Sequence, residues 1–172
     1  MPINYNSLGP DRQLNEIVFA GTHDAGINSG AASARTQSLD IRGQAAAGVR
    51  IFDLRVAAAG VAGTGPKRVE LKAYHGITSD KTAQRLIMGG DGAVRQETLV
   101  RTKMKGGNFG MSLLDMLQDA RDFVENEGQT EFLLLKFDKC TNWPLIAEAC
   151  VSVLGGTRGS HGVLYPNGGN LN

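Results

Sequence analysis

The chain has 172 residues, 41% hydrophobic and 20% charged, with a formal net charge of +1. That length suits one domain, 1–172, with a core of its own, and the composition excludes a disordered chain. The near-zero charge excludes a global field aimed at nucleic acid, so local sites must carry the function.

Met1 to Asp11 is polar, and no run approaches the ~20 apolar residues of a membrane span. With no signal peptide visible, the expected location is cytoplasmic, or outside the cell by a specialised route, with peripheral action at a membrane. Cys140 and Cys150 lie ten apart, a spacing that fits no zinc site, and two cysteines are too few for a disulfide framework. They are taken as ordinary thiols.

In chain order, Ile17 to Gly26 reads as a short buried strand that empties into a glycine-bracketed loop presenting His23 and Asp24. Residues 25–34 are small and polar, a loop. Thr36 to Gly48 follows as a helix, with Leu39, Ile41 and Ala45 to Ala47 apolar and Gly48 as its stop. Val49 to Val56 is a second strand whose alternation puts Ile51, Asp53 and Arg55 on one face and Phe52, Leu54 and Val56 on the other. A turn over 57–66 leads to a third strand, Val69 to Gly76, which again ends in a histidine beside a glycine.

From Ile77 to Gly110 no apolar period is sustained, although Thr82 to Met88 suits two helical turns. The segment reads as a long, modestly basic, mobile loop, with contact to an anionic membrane surface as the less favoured alternative. Ser112 opens a helix whose apolar positions recur at three- and four-residue steps, and Gly128 closes it. Phe132 to Asp138 is a nearly continuous apolar strand, the pattern of one covered on both faces. Asn142 to Leu154 is a helix with Pro144 in its first turn, and His161 to Tyr165 a fifth strand. Strands alternating with helices imply an α/β fold with a mostly parallel sheet, either a (β/α) barrel or an open sheet.

Side by side, these strands bring His23, Asp53 with Arg55, His75, and Lys136 with Asp138 to one rim. Two histidines flanking an arginine suit phosphodiester cleavage by internal attack. One imidazole removes a proton from the attacking hydroxyl, the other protonates the leaving oxygen, and the guanidinium fork neutralises the phosphoryl charge. Taken singly, either histidine is more simply a satisfied polar residue, and Lys136 a lysine snorkelling at a strand end. His161 is assigned no role, and Asp40 with Arg42 and the charged helix face of Asp115, Asp119, Arg121 and Asp122 read as solvated surface.

Gly21-Thr22-His23-Asp24, Gly48 to Arg55, Tyr74-His75-Gly76, and the helix 112–127 leading into Phe132 to Asp138 occur in the order and spacing of a known family. Over about residues 16 to 138 the chain resembles the catalytic domain of bacterial phosphatidylinositol-specific phospholipase C, the X-domain type, in its metal-independent branch. The resemblance implies a TIM-barrel-like (β/α) fold of which this chain holds the N-terminal part, about five strands of an irregular barrel left incomplete, since such barrels run to ~250 residues. It implies His23 as general base on the inositol 2-hydroxyl, His75 as general acid and Arg55 as phosphate clamp. Asp24 would join the acid–base set, Asp53 would orient Arg55, and Lys136 and Asp138 would contact the inositol.

No metal or cofactor is expected, because Arg55 stands where calcium-dependent relatives place a carboxylate, and Asp53 alone is a poor calcium site. The carboxylate that orients the first histidine comes from later strands in that family, and nothing after Asp138 supplies it. The expected partners are therefore a phosphoinositide or related phospholipid at a membrane surface and a complementary polypeptide completing the barrel. Two alternatives stand beside the enzyme: a non-catalytic half-barrel subunit of a toxin or effector assembly, and a metal-dependent phosphodiesterase of the glycerophosphodiester or sphingomyelinase D type.

Overall fold

The structure is a computed structural model that describes Tyr5, Asp11 and residues 13–60, 69–127 and 131–155. Its first sheet is parallel, with β1 (Ala20–Thr22) and β6 (Leu134–Phe137) on either side of β2 (Val49–Leu54). Along β2 the burial alternates as its sequence does, with Phe52 and Leu54 fully buried and Ile51 and Asp53 half-buried. The buried face meets α2 (Leu113–Asp122) and α3 (Trp143–Leu154), and with α1 (Ile41–Ala46) they enclose one core around Ile41, Phe52, Leu54, Met116, Leu117 and Ile146.

After Leu54 a single residue, Arg55, separates β2 from β3 (Val56–Gly60), and the chain changes sheet there. β3 pairs antiparallel with β4 (Val69–Met88) and parallel with β5 (Val94–Ser112), while β4 and β5 form a long antiparallel hairpin. The three strands close on themselves as a small barrel. The hairpin reverses at Gly89–Ala93, where the Gly89 N–H donates to Ala93 O at 2.8 Å and the Gly92 N–H to Gly89 O at 2.9 Å.

This architecture overturns the TIM-barrel-like reading, the N-terminal part of a (β/α) barrel included. The described residues hold a three-stranded parallel sheet, a hairpin-built, mostly antiparallel barrel and three α-helices, and β4 turns back as a hairpin into β5 rather than entering a crossover helix. The cause is the segment 77–110, a pair of strands where the sequence suggested a loop with two helical turns at Thr82 to Met88. Apart from the buried Leu99, both faces of the outer hairpin meet water, so the polar–apolar alternation that normally betrays a strand is missing. The β-branched Ile77, Thr78, Thr82, Ile87, Val94, Thr98, Val100 and Thr102, with Gly89-Gly90-Asp91-Gly92 between the runs, are the strand signals that remain. The complementary polypeptide was expected from an unfinished (β/α) barrel, an arrangement that the described residues do not form.

Smaller differences have local causes. The first helix starts at Ile41 because the Asp40 carboxylate accepts from the Gly43 N–H at 2.7 Å, a stronger cap than Thr36 offers, and Leu39 stays exposed. The strand at Ile17 to Thr22 shrinks to three residues, with Val18 93% exposed. β6 is an edge strand among the described residues, half-buried rather than covered on both faces. Ser112 caps α2 as expected, accepting from the Asp115 N–H at 3.0 Å, and α2 runs on through one π turn, Phe123–Glu127. Asn142 precedes α3 without capping it, because its side chain is engaged with the backbone of Val100, accepting at 2.7 Å and donating at 2.8 Å. The proposed strand His161 to Tyr165, Gly128 and most of the turn 57–66 lie outside the described residues.

One buried ion pair braces the sheet from below. Arg50 Nε donates to Glu131 Oε2 at 2.8 Å, both side chains being almost fully buried, and Arg50 Nη1 donates to the carbonyls of Ala45 and Val49. Its guanidinium lies 5.3 Å and 5.1 Å from the ring centroids of Tyr5 and Phe123. Glu131→Ala leaves that cation buried and unpaired and is expected to cost about 3–5 kcal/mol. Phe52→Ala is expected to cost a similar ~3–5 kcal/mol through cavity formation, and urea unfolding of both variants checks the pair.

Candidate active site at the end of the parallel sheet

The site begins where β1 runs out. Residues 23–26 form a turn laid over the end of β2, tied down by the Ala25 N–H donating to Asp53 O at 2.9 Å and by Thr36 Oγ1 donating to Asp24 O at 2.9 Å. Asp24 takes the left-handed conformation at φ 49, which an aspartate tolerates better than most residues, and this sends its carboxylate inward. Gly26 allows the turn to press onto the core, since a Cβ there would collide with the Met116 sulfur and the Ala73 methyl.

The Asp24 carboxylate is fully buried and is the hub of the cluster. Its Oδ2 lies 2.5 Å from His75 Nδ1 and 3.0 Å from His23 Nδ1, and its Oδ1 lies 3.1 Å from Arg55 Nε. The last contact is a charge contact only: neither Oδ1 nor Arg55 Nε completes a hydrogen bond, because the N–H is misaligned. Arg55 Nη2 meets His23 Nε2 at 2.8 Å. A guanidinium has no acceptor, so in this network His23 Nε2 carries the lone pair and Nδ1 the proton, close to Asp24 Oδ2 but not aligned for a hydrogen bond to it. His75 does donate a hydrogen bond from Nδ1 to Asp24, which leaves its Nε2 as the outward nitrogen.

Asp53 and Lys136 form the other side. Opposite each other in the β2–β6 register, they make a 3.3 Å contact between Asp53 Oδ1 and Lys136 Nζ. Asp53 Oδ2 lies 3.7 Å from His23 Nε2 and 4.0 Å from Arg55 Nε. The structure thus brings together six of the seven residues singled out from the sequence: His23, Asp24, Asp53, Arg55, His75 and Lys136. The seventh, Asp138, is engaged elsewhere, its Oδ1 accepting from the Lys139 N–H at 2.9 Å within its own loop. A carboxylate beside the first histidine was expected from beyond Asp138; in the structure Asp24, the next residue in the chain, lies 3.0 Å from His23 Nδ1.

Several supporting residues carried no signal in the sequence. Gln37 donates to His23 O at 2.9 Å, and Tyr74 Oη donates to Lys139 O at 2.6 Å, holding the loop after β6 against β4. Burial pushes the Tyr74 phenol above its ordinary pKa, so it stays a donor at neutral pH. Cys140 Sγ accepts from the Val56 N–H at 3.2 Å, fastening the same loop to the strand that begins just after Arg55. Gly76 and Gly107, at φ 131 and 103, let β4 and β5 pinch together beside His75, where a Cβ on either would strike the opposite backbone.

His23, Asp24 and Asp53 each offer one ligand atom, and those atoms lie within 4.8 Å of one another, the one grouping among the described residues able to hold a metal ion. Arg55 and Lys136 already face these same side chains, so an ion entering here would compete with two fixed cations.

Comparison with protein-family models, curated proteins and solved structures finds no match to this chain.

Asp24→Asn keeps the shape and tolerates the left-handed backbone but removes the charge that both histidines share. It is expected to cost about 1.5–3 kcal/mol in urea unfolding and to shift the ring nitrogen resonances of His23 and His75 together. Burial also pushes the Cys140 thiol above its usual pKa. Its reaction with a thiol reagent in mildly alkaline buffer should therefore be slower in the folded protein than in denaturant.

Proposed function

We propose that the protein is a phosphodiesterase that cleaves phosphatidylinositol-type lipids by attack of the inositol 2-hydroxyl on phosphorus. The observation that carries this reading is the sharing of one buried carboxylate oxygen, Asp24 Oδ2, by the Nδ1 atoms of two histidines, with Arg55 against the same carboxylate. It makes an acid–base pair of His23 and His75: each outward Nε2 can exchange a proton while Asp24 stabilises the imidazolium formed.

His23 Nε2 takes the hydroxyl proton, the new O–P bond closes a five-membered cyclic phosphate, and the bond from phosphorus to the diacylglycerol oxygen breaks. That oxygen leaves with a proton from His75 Nε2. Arg55, which in the free protein occupies the His23 lone pair, moves its donor onto a phosphoryl oxygen when substrate arrives, and this frees the base. Asp53 holds Arg55 from the opposite side, and Lys136 is the group offered to the inositol hydroxyls.

His23 is well exposed and His75 partly so, which allows either to be removed without opening the core. His23→Ala and His75→Ala are each expected to reduce cleavage of phosphatidylinositol by about 10²–10⁴-fold with unfolding midpoints close to wild type. Arg55→Lys, which keeps the charge but loses the fork, should reduce it by about 10²-fold or more. Near-normal turnover in either histidine variant would overturn the reading and leave a non-catalytic subunit. The His23–Asp24–Asp53 grouping favours a second reading, a metal-dependent phosphodiesterase of the glycerophosphodiester or sphingomyelinase D type. Full activity in excess chelator is the outcome expected of the first reading, and loss restored by a divalent cation is that of the second.

A further inference from the structure

The outer part of the β4–β5 hairpin takes no part in the proposed chemistry. From Thr82↔Val100 to Met88↔Val94 the strands pair residue for residue, roughly 20 Å of ladder at ~3.3 Å per residue. Beyond Val100, whose backbone meets the Asn142 side chain, its strands bond to each other, as in Thr98 Oγ1 donating to Gln84 Oε1 at 3.1 Å. Successive pairs alternate between faces. One face carries Gln84↔Thr98, Leu86↔Gln96 and Met88↔Val94, uncharged throughout and ending in Leu86, Met88 and Val94 at 74%, 77% and 62% exposure. Large apolar side chains gathered in water at one extremity mark a contact surface, unlike hydrophobes scattered singly.

Charge identifies what the tip contacts. Residues 77–110 hold six Lys and Arg against three Asp and Glu, a net of +3 in a chain of net +1, so the remainder of the protein is net acidic. Lys81, Lys103 and Lys105 stand exposed on the stem below the tip. Three side chains at the end of a narrow hairpin offer far less than the ~800 Å² per partner of a stable protein interface. The one carboxylate at the reversal, Asp91, is paired with Arg95, and an end with three exposed apolar side chains backed by cations fits an anionic bilayer, whose acyl boundary takes the tip while its headgroups meet the lysines.

We propose that the hairpin tip docks the protein on an anionic lipid bilayer, with Leu86, Met88 and Val94 entering the interfacial layer and Lys81, Lys103 and Lys105 meeting lipid phosphates. The purpose of docking rests on the lipid-cleaving reading above, since β4 carries His75 near its root, but the binding itself is measurable without turnover.

The test is co-sedimentation of the full chain with phosphatidylcholine vesicles that contain or lack phosphatidylglycerol, an anionic lipid without inositol. The protein is expected to sediment with the anionic vesicles, to remain in solution with the neutral ones, and to be released by raised salt. Combined Leu86→Ser, Met88→Ser and Val94→Ser substitutions should lower the partition at least about tenfold. Combined Lys81→Gln, Lys103→Gln and Lys105→Gln substitutions should remove the preference for phosphatidylglycerol. Turnover of a soluble inositol phosphodiester should be unchanged in the serine variant, whose sites lie outside the catalytic cluster. Wild-type protein left in solution with anionic vesicles, or a serine variant that binds as well as wild type, would overturn docking. So would serine substitutions whose only effect is to dissolve a dimer. Vesicle binding without cleavage of either substrate would leave docking standing and remove the phosphodiesterase.

Discussion

A carboxylate buried at Asp24 is the constraint on which the rest of this site depends. Burying an isolated charge of that kind is prohibitive, so the fold must supply compensation at close range. It does so from three elements: His23 from the same turn, Arg55 from the end of β2, and His75 from β4. Each group that faces the Asp24 carboxylate is also one that phosphodiester cleavage can use. Orientation of the histidines and stability of the turn are consequently one interaction, and a change that loosens one loosens the other.

The chain places these groups by changing sheets at Arg55. Up to Leu54 the backbone belongs to the parallel sheet, where Asp53 lies opposite Lys136; from Val56 it belongs to the antiparallel barrel. The carbonyl of Arg55 accepts from the Tyr74 N–H at 3.0 Å, which fixes His75, the next residue on β4, against the end of β2. On the opposite side the Asp138 N–H donates to Leu54 O and the Thr141 N–H to Val56 O, so the loop after β6 is stitched to both sheets. A rim built this way resembles the carboxyl ends of strands in a parallel α/β sheet on one side only. Its other side is the root of a hairpin.

That division separates two environments along β4. Near His75 the strand is half-buried, while beyond Thr82 it is largely exposed and ends in a tip with one uncharged, partly apolar face. The first environment favours fixed dipoles and charge-assisted hydrogen bonds, and the second gains from losing contact with water. One strand therefore joins the groups proposed for chemistry to the surface proposed for lipid contact.

The sequence by itself determined the local settings of several residues singled out for the site. The alternation of Val49 to Val56 placed Asp53 and Arg55 together opposite a buried Phe52 and Leu54, and the periodicity after Ser112 placed α2 with its cap. These features were legible because one face of each element is dry and the other wet, which leaves a period in the residue types. The outer hairpin is wet on both faces apart from Leu99 and left no such period, so its two strands passed for a loop and the fold for part of a parallel barrel. The partner of both histidines was likewise open to tertiary structure alone. Asp24 sits next to His23 in the chain, but only the left-handed turn at Asp24 and the packing of β4 against it carry the carboxylate inward to His75, 51 residues away.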